Sequence, residues 1–223
     1  MEGEQVDVRK QVASTLANAP GKAIFEQCDF TAADLSRLDF TGATFIGCCV
    51  VDASFAAARF EGSQWRNCRG GKVNFDSAKL EEVTFRSCDL NNSSWSRAKL
   101  SAVRFASSKL TGANFSGTAS FAVEFVECRL VAAHLRGLSF YKAKLQELDL
   151  SDADLAATDF RDAVFEGGSL RNANLTGARF QGADLRSADI GGVRLMDAKL
   201  FKGATISKRQ AAELLSELGL TVL

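Results

Sequence analysis

The sequence predicts an all-β solenoid whose backbone changes direction once in every five residues. The first observation is a run of large apolar residues at every fifth position, in one phase from Phe25 to Leu200; 34 of these 36 positions hold Phe, Trp, Leu, Ile or Val. The second is a series of small uncharged residues two positions earlier, of which 17 are Ala and five are Cys. The other three positions of each pentad carry nearly all of the charge.

A period of five matches neither an α-helix, which repeats every 3.6 residues or so, nor a β-strand, which alternates with a period of two. In extended backbone, residues two apart lie on the same face, so the small and the large residue share one side. Glycine recurs two residues after the large position, as at Gly42 and Gly62, where a turn often requires positive φ. Each pentad is therefore predicted to form one short strand and one corner.

The repeating unit resembles the A-(D/N)-L-x-x unit of the pentapeptide repeat family, visible as Ala153-Asp154-Leu155, Ala173-Asn174-Leu175 and Ala183-Asp184-Leu185. The resemblance implies a right-handed quadrilateral parallel β-helix with four pentads per coil, so 36 pentads give about nine coils. We expect an N-terminal cap over residues 1–22, the pentapeptide-repeat β-helix over 23–202, and a C-terminal capping and dimerisation helix with a tail over 203–223.

The cysteines support a twenty-residue coil independently. Five of the six occupy the small inward position at multiples of twenty, with Ser108 in the one gap: Cys28, Cys48, Cys68, Cys88 and Cys128. Stacked thiols seldom reach the torsion that a disulfide requires, and no CxxC motif or histidine ligand spacing accompanies them. We interpret them as small apolar core residues and predict no metal site and no cofactor. Cys49 is the exception, because it falls in an outward position.

Both ends of an open solenoid expose backbone and apolar core, so each end needs a cap. Residues 5–18 have helical composition, with Val8, Val12 and Leu16 along one stripe. At the other end, Ser207 and Gln210 fit a capping box that opens a helix.

The C-terminal segment carries more apolar surface than a cap requires. We predict a twofold homodimer through this end; the alternative is that the tail folds back on its own last coil. The candidate interface residues are Leu214, Leu215, Leu218, Leu220 and Val222.

The same end resembles the C-terminus of the Qnr and MfpA-like pentapeptide repeat proteins, in Asp189-Ile190-Gly191-Gly192-Val193-Arg194-Leu195 and in residues 211–222. Those proteins bind DNA gyrase and topoisomerase IV and protect them from quinolones or natural poisons. The resemblance implies a non-enzymatic DNA mimic, with a negatively charged surface that takes the place of DNA and confers antibiotic resistance or self-immunity. It also implies end-to-end dimers. Direct binding of nucleic acid is not expected, because the aromatic residues that would stack on bases fall nearly all in core positions.

Local charge indicates where such a partner would dock. Between positions 147 and 166 one base, Arg161, accompanies seven acids, which are the candidate topoisomerase-facing residues: Glu147, Asp149, Asp152, Asp154, Asp159, Asp162 and Glu166. The alternative interpretation is ordinary solvation of outward positions. From Arg59 to Lys109, by contrast, ten bases accompany five acids, and the whole chain has 27 of each. That balance, and the lack of projecting loops, favours the alternative function of a structural scaffold that binds another protein.

Nothing in the sequence predicts catalysis or a membrane anchor. The one histidine, His134, falls in an outward position without the neighbours of a catalytic triad. No apolar run approaches the length of about 18 residues that a membrane span needs, and the N-terminus does not resemble a signal peptide. Together with the free thiols, these features predict a cytoplasmic protein without enzymatic activity.

Two breaks interrupt the register. At Ser120 and Phe121 the large residue has moved by one place; a local bulge that forms a recognition point is one interpretation, and a harmless unfilled core position is the one we favour. At Gly70 and Gly71 an unfilled core position is expected.

Overall fold

The computed structural model describes residues 8–192, 199–216 and 219–222. The fold is mostly β, a parallel β-solenoid of about seven turns with one short helix before it and one after. None of the helices in the described ranges is long and apolar enough to cross a membrane. In chain order the elements are α1 (Val8–Asn18), β1 (Ile24–Glu26), β2 (Thr44–Ile46), β3 (Gln64–Arg66), β4 (Lys79–Glu81), β5 (Thr84–Arg86), β6 (Lys99–Ser101), β7 (Arg104–Ala106), β8 (Ala119–Phe121), β9 (Glu124–Val126), β10 (Lys144–Gln146), β11 (Val164–Glu166) and α2 (Lys208–Ser216).

The observed number of turns is smaller than the nine coils predicted. Eight of the three-residue strands recur at intervals of twenty residues, which makes seven steps from the first to the last: β1, β2, β3, β5, β7, β9, β10 and β11. Near α2 the spacing between partners is no longer twenty residues: Asp184 forms a bridge with Thr205, 21 residues later. The pentad positions within 193–198 lie outside the described residues.

The chain divides into two compact units, of which the first comprises Met1–Ser108 and Gly117–Glu124. In this unit β1, β2, β3, β5 and β7 pair in that order, and β4, β6 and β8 form a second sheet. Every pairing is parallel with partners twenty residues apart, such as Phe45 with Trp65 and Phe85 with Phe105. Their rings stack at centroid distances of 3.9 and 5.0 Å. The predicted apolar register is therefore the core of this unit.

The second unit comprises Lys109–Ser116 and Phe125–Leu223. Here β10 pairs in parallel with both β9 and β11. Phe160 stacks between Phe140 and Phe180, at 5.1 and 4.9 Å. The same twenty-residue spacing thus builds the aromatic core of this unit.

The corner of each pentad explains the polar residue of the repeat motif. In the pentad around Phe30, the Ala33 N–H donates to the Phe30 carbonyl at 2.9 Å, and Ala32 between them has a φ of 56°. The carboxylate of Asp29 accepts the Thr31 N–H at 2.9 Å. Because Asp or Asn before the large residue can accept this bond, it satisfies an N–H that the turn would otherwise leave free.

Helix α1 caps the first coil with both an apolar and a polar contact. Val12 is buried, in agreement with the predicted stripe. The Arg9 guanidinium donates to the carbonyls of Asp34 at 2.9 Å and Ser36 at 2.8 Å. Arg9 therefore supplies hydrogen bonds to the backbone of the first coil, which has no preceding coil to pair with.

Helix α2 confirms the predicted capping box. The Ser207 N–H donates to Gln210 Oε1 at 2.7 Å, and the Gln210 N–H donates to Ser207 Oγ at 3.3 Å. The Gln210 Nε2 group also donates to the carbonyls of Leu185 and Ala188, both at 2.7 Å. One buried amide therefore caps both the helix and the coil beneath it.

The bulge considered as one interpretation of Ser120 and Phe121 is wrong. Strand β8 stays in register with β6, with Leu100 opposite Ser120, and the Ala102 N–H donates to the Phe121 carbonyl at 2.9 Å. Because backbone bonds keep the register, the shifted side chain points outward, and Phe121 is 76% exposed.

The unfilled core position predicted at Gly70 is also wrong. A Cβ atom on Gly70 would lie 2.9 Å from side-chain carbons of both Val50 and Leu90. These neighbours already occupy the space that a larger residue would take, so the core remains packed there.

Candidate partner-binding surfaces

Four of the seven predicted acids are neutralised by bases of the second unit. Asp149 lies 3.8 Å from Arg129, and Asp154 lies 3.6 Å from Arg136. Glu166 accepts from Lys144 at 2.9 Å, and hydrogen bonds from Lys144 and Gln146 lower its pKa below the ordinary value. These carboxylates present little net charge to a partner.

Asp159 is the fourth neutralised acid and is only 7% exposed. Arg161 holds it through two side-chain bonds at 2.9 and 2.8 Å, and Arg179 donates at 2.8 Å. Hydrogen bonds from Arg161 lower the pKa of Asp159 below its ordinary value, against the opposing effect of burial. The surface at this point therefore presents two guanidinium groups rather than a carboxylate.

The remaining three acids, Glu147, Asp152 and Asp162, occupy corners. Their φ angles are 45°, 57° and 56°, and all three residues are exposed. None forms an ion pair within the described ranges of the chain. Corner residues point away from the strands, so these are the carboxylates best placed to meet a basic partner.

Three of the seven predicted acids thus carry a charge that no ion pair offsets within the described residues, and the partner-facing role of all seven stays a prediction. The local sequence around these acids does not indicate the bases that neutralise the others, although two of those bases lie twenty residues from their acids. Arg129 precedes Asp149 by twenty, and Arg179 follows Asp159 by twenty. Reading the sequence in columns of twenty would have found both pairs.

The basic stretch of the first unit is only partly neutralised. Arg59 lies 3.7 Å from Asp39 and 3.9 Å from Glu61, and Arg104 is ion-paired with Glu124. Arg66 and Arg86, by contrast, are direct partners on neighbouring strands. This pair therefore presents a local positive charge, opposite in sign to the corner acids.

Four of the five cysteines of the predicted column lie in the core, and the fifth, Cys28, is half-buried. Cys48, Cys68 and Cys88 are buried, and each thiol donates to a backbone carbonyl, for example Cys48 Sγ to Phe25 O at 3.2 Å. A hydrogen bond with Cys68, together with burial, raises the pKa of the Cys48 thiol well above its ordinary value. No cluster of His, Cys, Asp and Glu suited to a metal occurs among the residues that the structure describes. The outward Cys49 is half-buried, 3.2 Å from Thr31 Oγ1.

The predicted dimer residues lie on and beyond α2. Leu214 is half-buried, whereas Leu215, Leu220 and Val222 are 37%, 54% and 47% exposed. The Leu220 N–H donates to the Leu215 carbonyl at 3.2 Å, so the chain turns back at Gly219. Leu218 lies outside the described residues.

Repeated parallel coils with a corner in each pentad define a repeat solenoid whose chemistry lies on its outward surface. The chain belongs to the pentapeptide repeat family. The family of pentapeptide repeat regions matches residues 21–81 and 67–115, and that of pentapeptide repeats in eight copies matches 124–162 and 163–200.

Solved structures with the same fold include QnrB1, a plasmid-mediated fluoroquinolone resistance protein. A trypsin-treated QnrB1 variant is 22% identical, with a TM-score of 0.77 over 90% of this chain and 98% of that one. Full-length QnrB1 is 18% identical, with a TM-score of 0.59 over 89% and 100%. A second trypsin-treated variant is 24% identical, with a TM-score of 0.54 over 91% and 90%. The comparison with curated proteins finds no significant match.

Proposed function

We propose that the protein is a non-enzymatic DNA mimic that binds DNA gyrase or topoisomerase IV and protects it from a topoisomerase poison. The observation that carries this proposal is the set of three exposed corner carboxylates, Glu147, Asp152 and Asp162, which form no ion pair with any residue that the structure describes. A type II topoisomerase binds DNA on a basic surface, and opposite charges on two proteins favour encounter and fix their orientation. The fold shared with QnrB1 is consistent with this proposal.

The remaining parts of the proposal follow the predicted architecture. The β-helix over 23–202 is right-handed and quadrilateral, between an N-terminal cap over 1–22 and a C-terminal segment over 203–223. Two protomers join through that segment. Leu215, Leu220 and Val222 support this dimer, because they expose apolar side chains at one end of the chain.

A supercoiling assay tests the proposed partner. Purified gyrase is titrated with the protein from nanomolar to micromolar concentration, with and without a fluoroquinolone or a peptide poison. We expect rescue of supercoiling in the presence of a poison, or direct inhibition without one. If the protein at micromolar concentration does neither with gyrase or with topoisomerase IV, the proposal is wrong.

The second candidate function is a scaffold that binds another protein. The observation that favours it is the pair of Arg66 and Arg86 on adjacent strands of the first unit. Among the described residues this pair has no carboxylate partner, whereas Arg59 and Arg104 each have one. A surface that imitates DNA throughout would not carry such a pair. If the folded protein does not bind gyrase, the scaffold function is the better supported of the two.

The dimer has its own test. Leu215→Asp places a charge on the exposed apolar surface of α2 and should yield folded monomers, measured by light scattering coupled to size-exclusion chromatography. Lys208→Asp, a charge change at the start of the same helix, serves as the control and should stay dimeric. If the wild-type protein is already a monomer, the dimer proposal is wrong and the C-terminal tail packs only on its own chain.

A further inference from the structure

A groove of about 420 Å³ lies over strands β3 and β5 of the first unit. Its polar lining consists of Gln64, Arg66, Asn67, Thr84, Arg86 and Ser87. Each of these side chains carries at least one hydrogen-bond donor, and no carboxylate lines the groove. The groove is therefore built to receive hydrogen-bond acceptors.

The two arginines in this groove form a like-charge pair. Arg66 and Arg86 are register partners on adjacent parallel strands, which lie about 4.8 Å apart. Like charges directly opposite each other in a sheet are destabilising. Neither guanidinium has a carboxylate partner among the residues that the structure describes, whereas Arg104 in the next strand, β7, is ion-paired with Glu124.

The groove is also partly organised in advance. Arg66 donates to Gln64 Oε1 at 2.7 Å, which restrains its guanidinium on the strand. Thr84 is half-buried, and Asn67 and Ser87 occupy the corners that follow the two arginines, with φ of 54° at each. Two guanidinium groups flanked by amide and hydroxyl donors match a tetrahedral oxyanion, which arginine binds through two parallel bonds.

The cationic run is short. The strand partner of Arg66 on the other side is Ile46, and that of Arg86 is Ala106. A nucleic-acid strand would need cations to continue along the column, because each phosphate contact requires its own charge. Two cations bounded by apolar residues fit one anionic group.

We propose that this groove binds a single phosphoryl group, either as free phosphate or as the monoester of a small metabolite. This site is independent of the topoisomerase-binding proposal, since it uses neither the corner acids nor the C-terminal helix.

Calorimetric titration of the full chain with inorganic phosphate and with glycerol 3-phosphate, at constant ionic strength, tests the proposal and separates the two sources. We expect wild type to bind at least one probe. Arg66→Gln with Arg86→Gln should weaken that binding by about tenfold or more. Arg104→Gln removes one charge from the same face but outside the groove, and should change the affinity by less than about twofold.

A stability measurement keeps the test valid if the double variant folds poorly. Without phosphate, the double variant should unfold at the same temperature as wild type or a higher one, because the like-charge contact is gone. Phosphate should then raise the unfolding temperature of wild type and Arg104→Gln but not of the double variant. Failure of wild type to bind either probe at millimolar concentration would overturn the proposal. Equal binding by all three proteins, or tighter binding of a single-stranded oligonucleotide than of both probes, would also overturn it.

Discussion

Replacing Phe85 by Ala should lower the free energy of unfolding by about 3 to 5 kcal/mol. Phe85 is fully buried, and its ring stacks on Trp65 at 5.5 Å and on Phe105 at 5.0 Å. It also makes an edge contact with Trp95 at 5.4 Å. Coils above and below are fixed by backbone bonds, so they cannot collapse into the cavity. The loss is a large fraction of the stability of a typical domain, about 5–15 kcal/mol.

Phe121→Ala is the matched control, because it is the same substitution in the same unit at an outward position. Phe121 is 76% exposed, so its removal should change stability by about 0.5 kcal/mol or less. Urea unfolding is followed by far-UV circular dichroism and by tryptophan fluorescence, which should coincide if unfolding is two-state. If Phe121→Ala costs as much as Phe85→Ala, or if Phe85→Ala costs under about 1 kcal/mol, the inward register is wrong.

Three further substitutions test the corners, a buried acid and the C-terminal cap, each by urea unfolding. Gly62→Ala should lower the free energy of unfolding by about 1–2 kcal/mol, because φ is +64° and the added Cβ would meet no neighbouring atom. Gly42→Ala should lower it further, because the added Cβ would also clash with the Gly21 carbonyl oxygen. Equal losses for the two variants would contradict this. Asp159→Asn should destabilise the protein at any pH above about 4, the ordinary pKa of an aspartate. Because the pKa of Asp159 is lowered in the folded state, the difference in stability between wild type and variant should shrink as the pH falls below that ordinary pKa. A difference that does not depend on pH would refute the ion pair. Gln210→Ala should cost about 1–3 kcal/mol by leaving buried carbonyls unpaired; no change would mean that water replaces the amide.

The interior of this protein is readable from its sequence because one rule repeats. A side chain in the large position meets the equivalent side chain twenty residues away, as Phe45 meets Trp65. The register of the coils is set by backbone hydrogen bonds between strands, and these bonds form even where a side chain does not follow the repeat. That is why the shifted Phe121 causes no bulge and is instead exposed on the surface of the strand.

The outward surface is less predictable, because charge there depends on neighbours in adjacent coils. Asp159 counts as an acid in the sequence, yet Arg161 and Arg179 cover it, and Asp159 contributes almost no negative surface. The net charge around an exposed residue therefore depends on side chains in neighbouring coils, because a long side chain can reach several partners. The cap of the last coil depends in the same way on Gln210, whose second role, binding two distant carbonyls, has no signal in the local motif.

The most direct test of the proposed function is the affinity of the protein for gyrase, measured by surface plasmon resonance, in two variants that each lose two corner acids. The first is Asp152→Asn with Asp162→Asn. The second is Asp52→Asn with Glu82→Gln, which removes exposed acids from the equivalent slots of the twenty-residue repeat in the first unit; Asp52 and Glu82 have φ of 55° and 54°. We predict that the first pair weakens binding by about tenfold or more, while the second leaves it nearly unchanged. Equal affinity of both variants, or no measurable binding of wild type, would contradict the account.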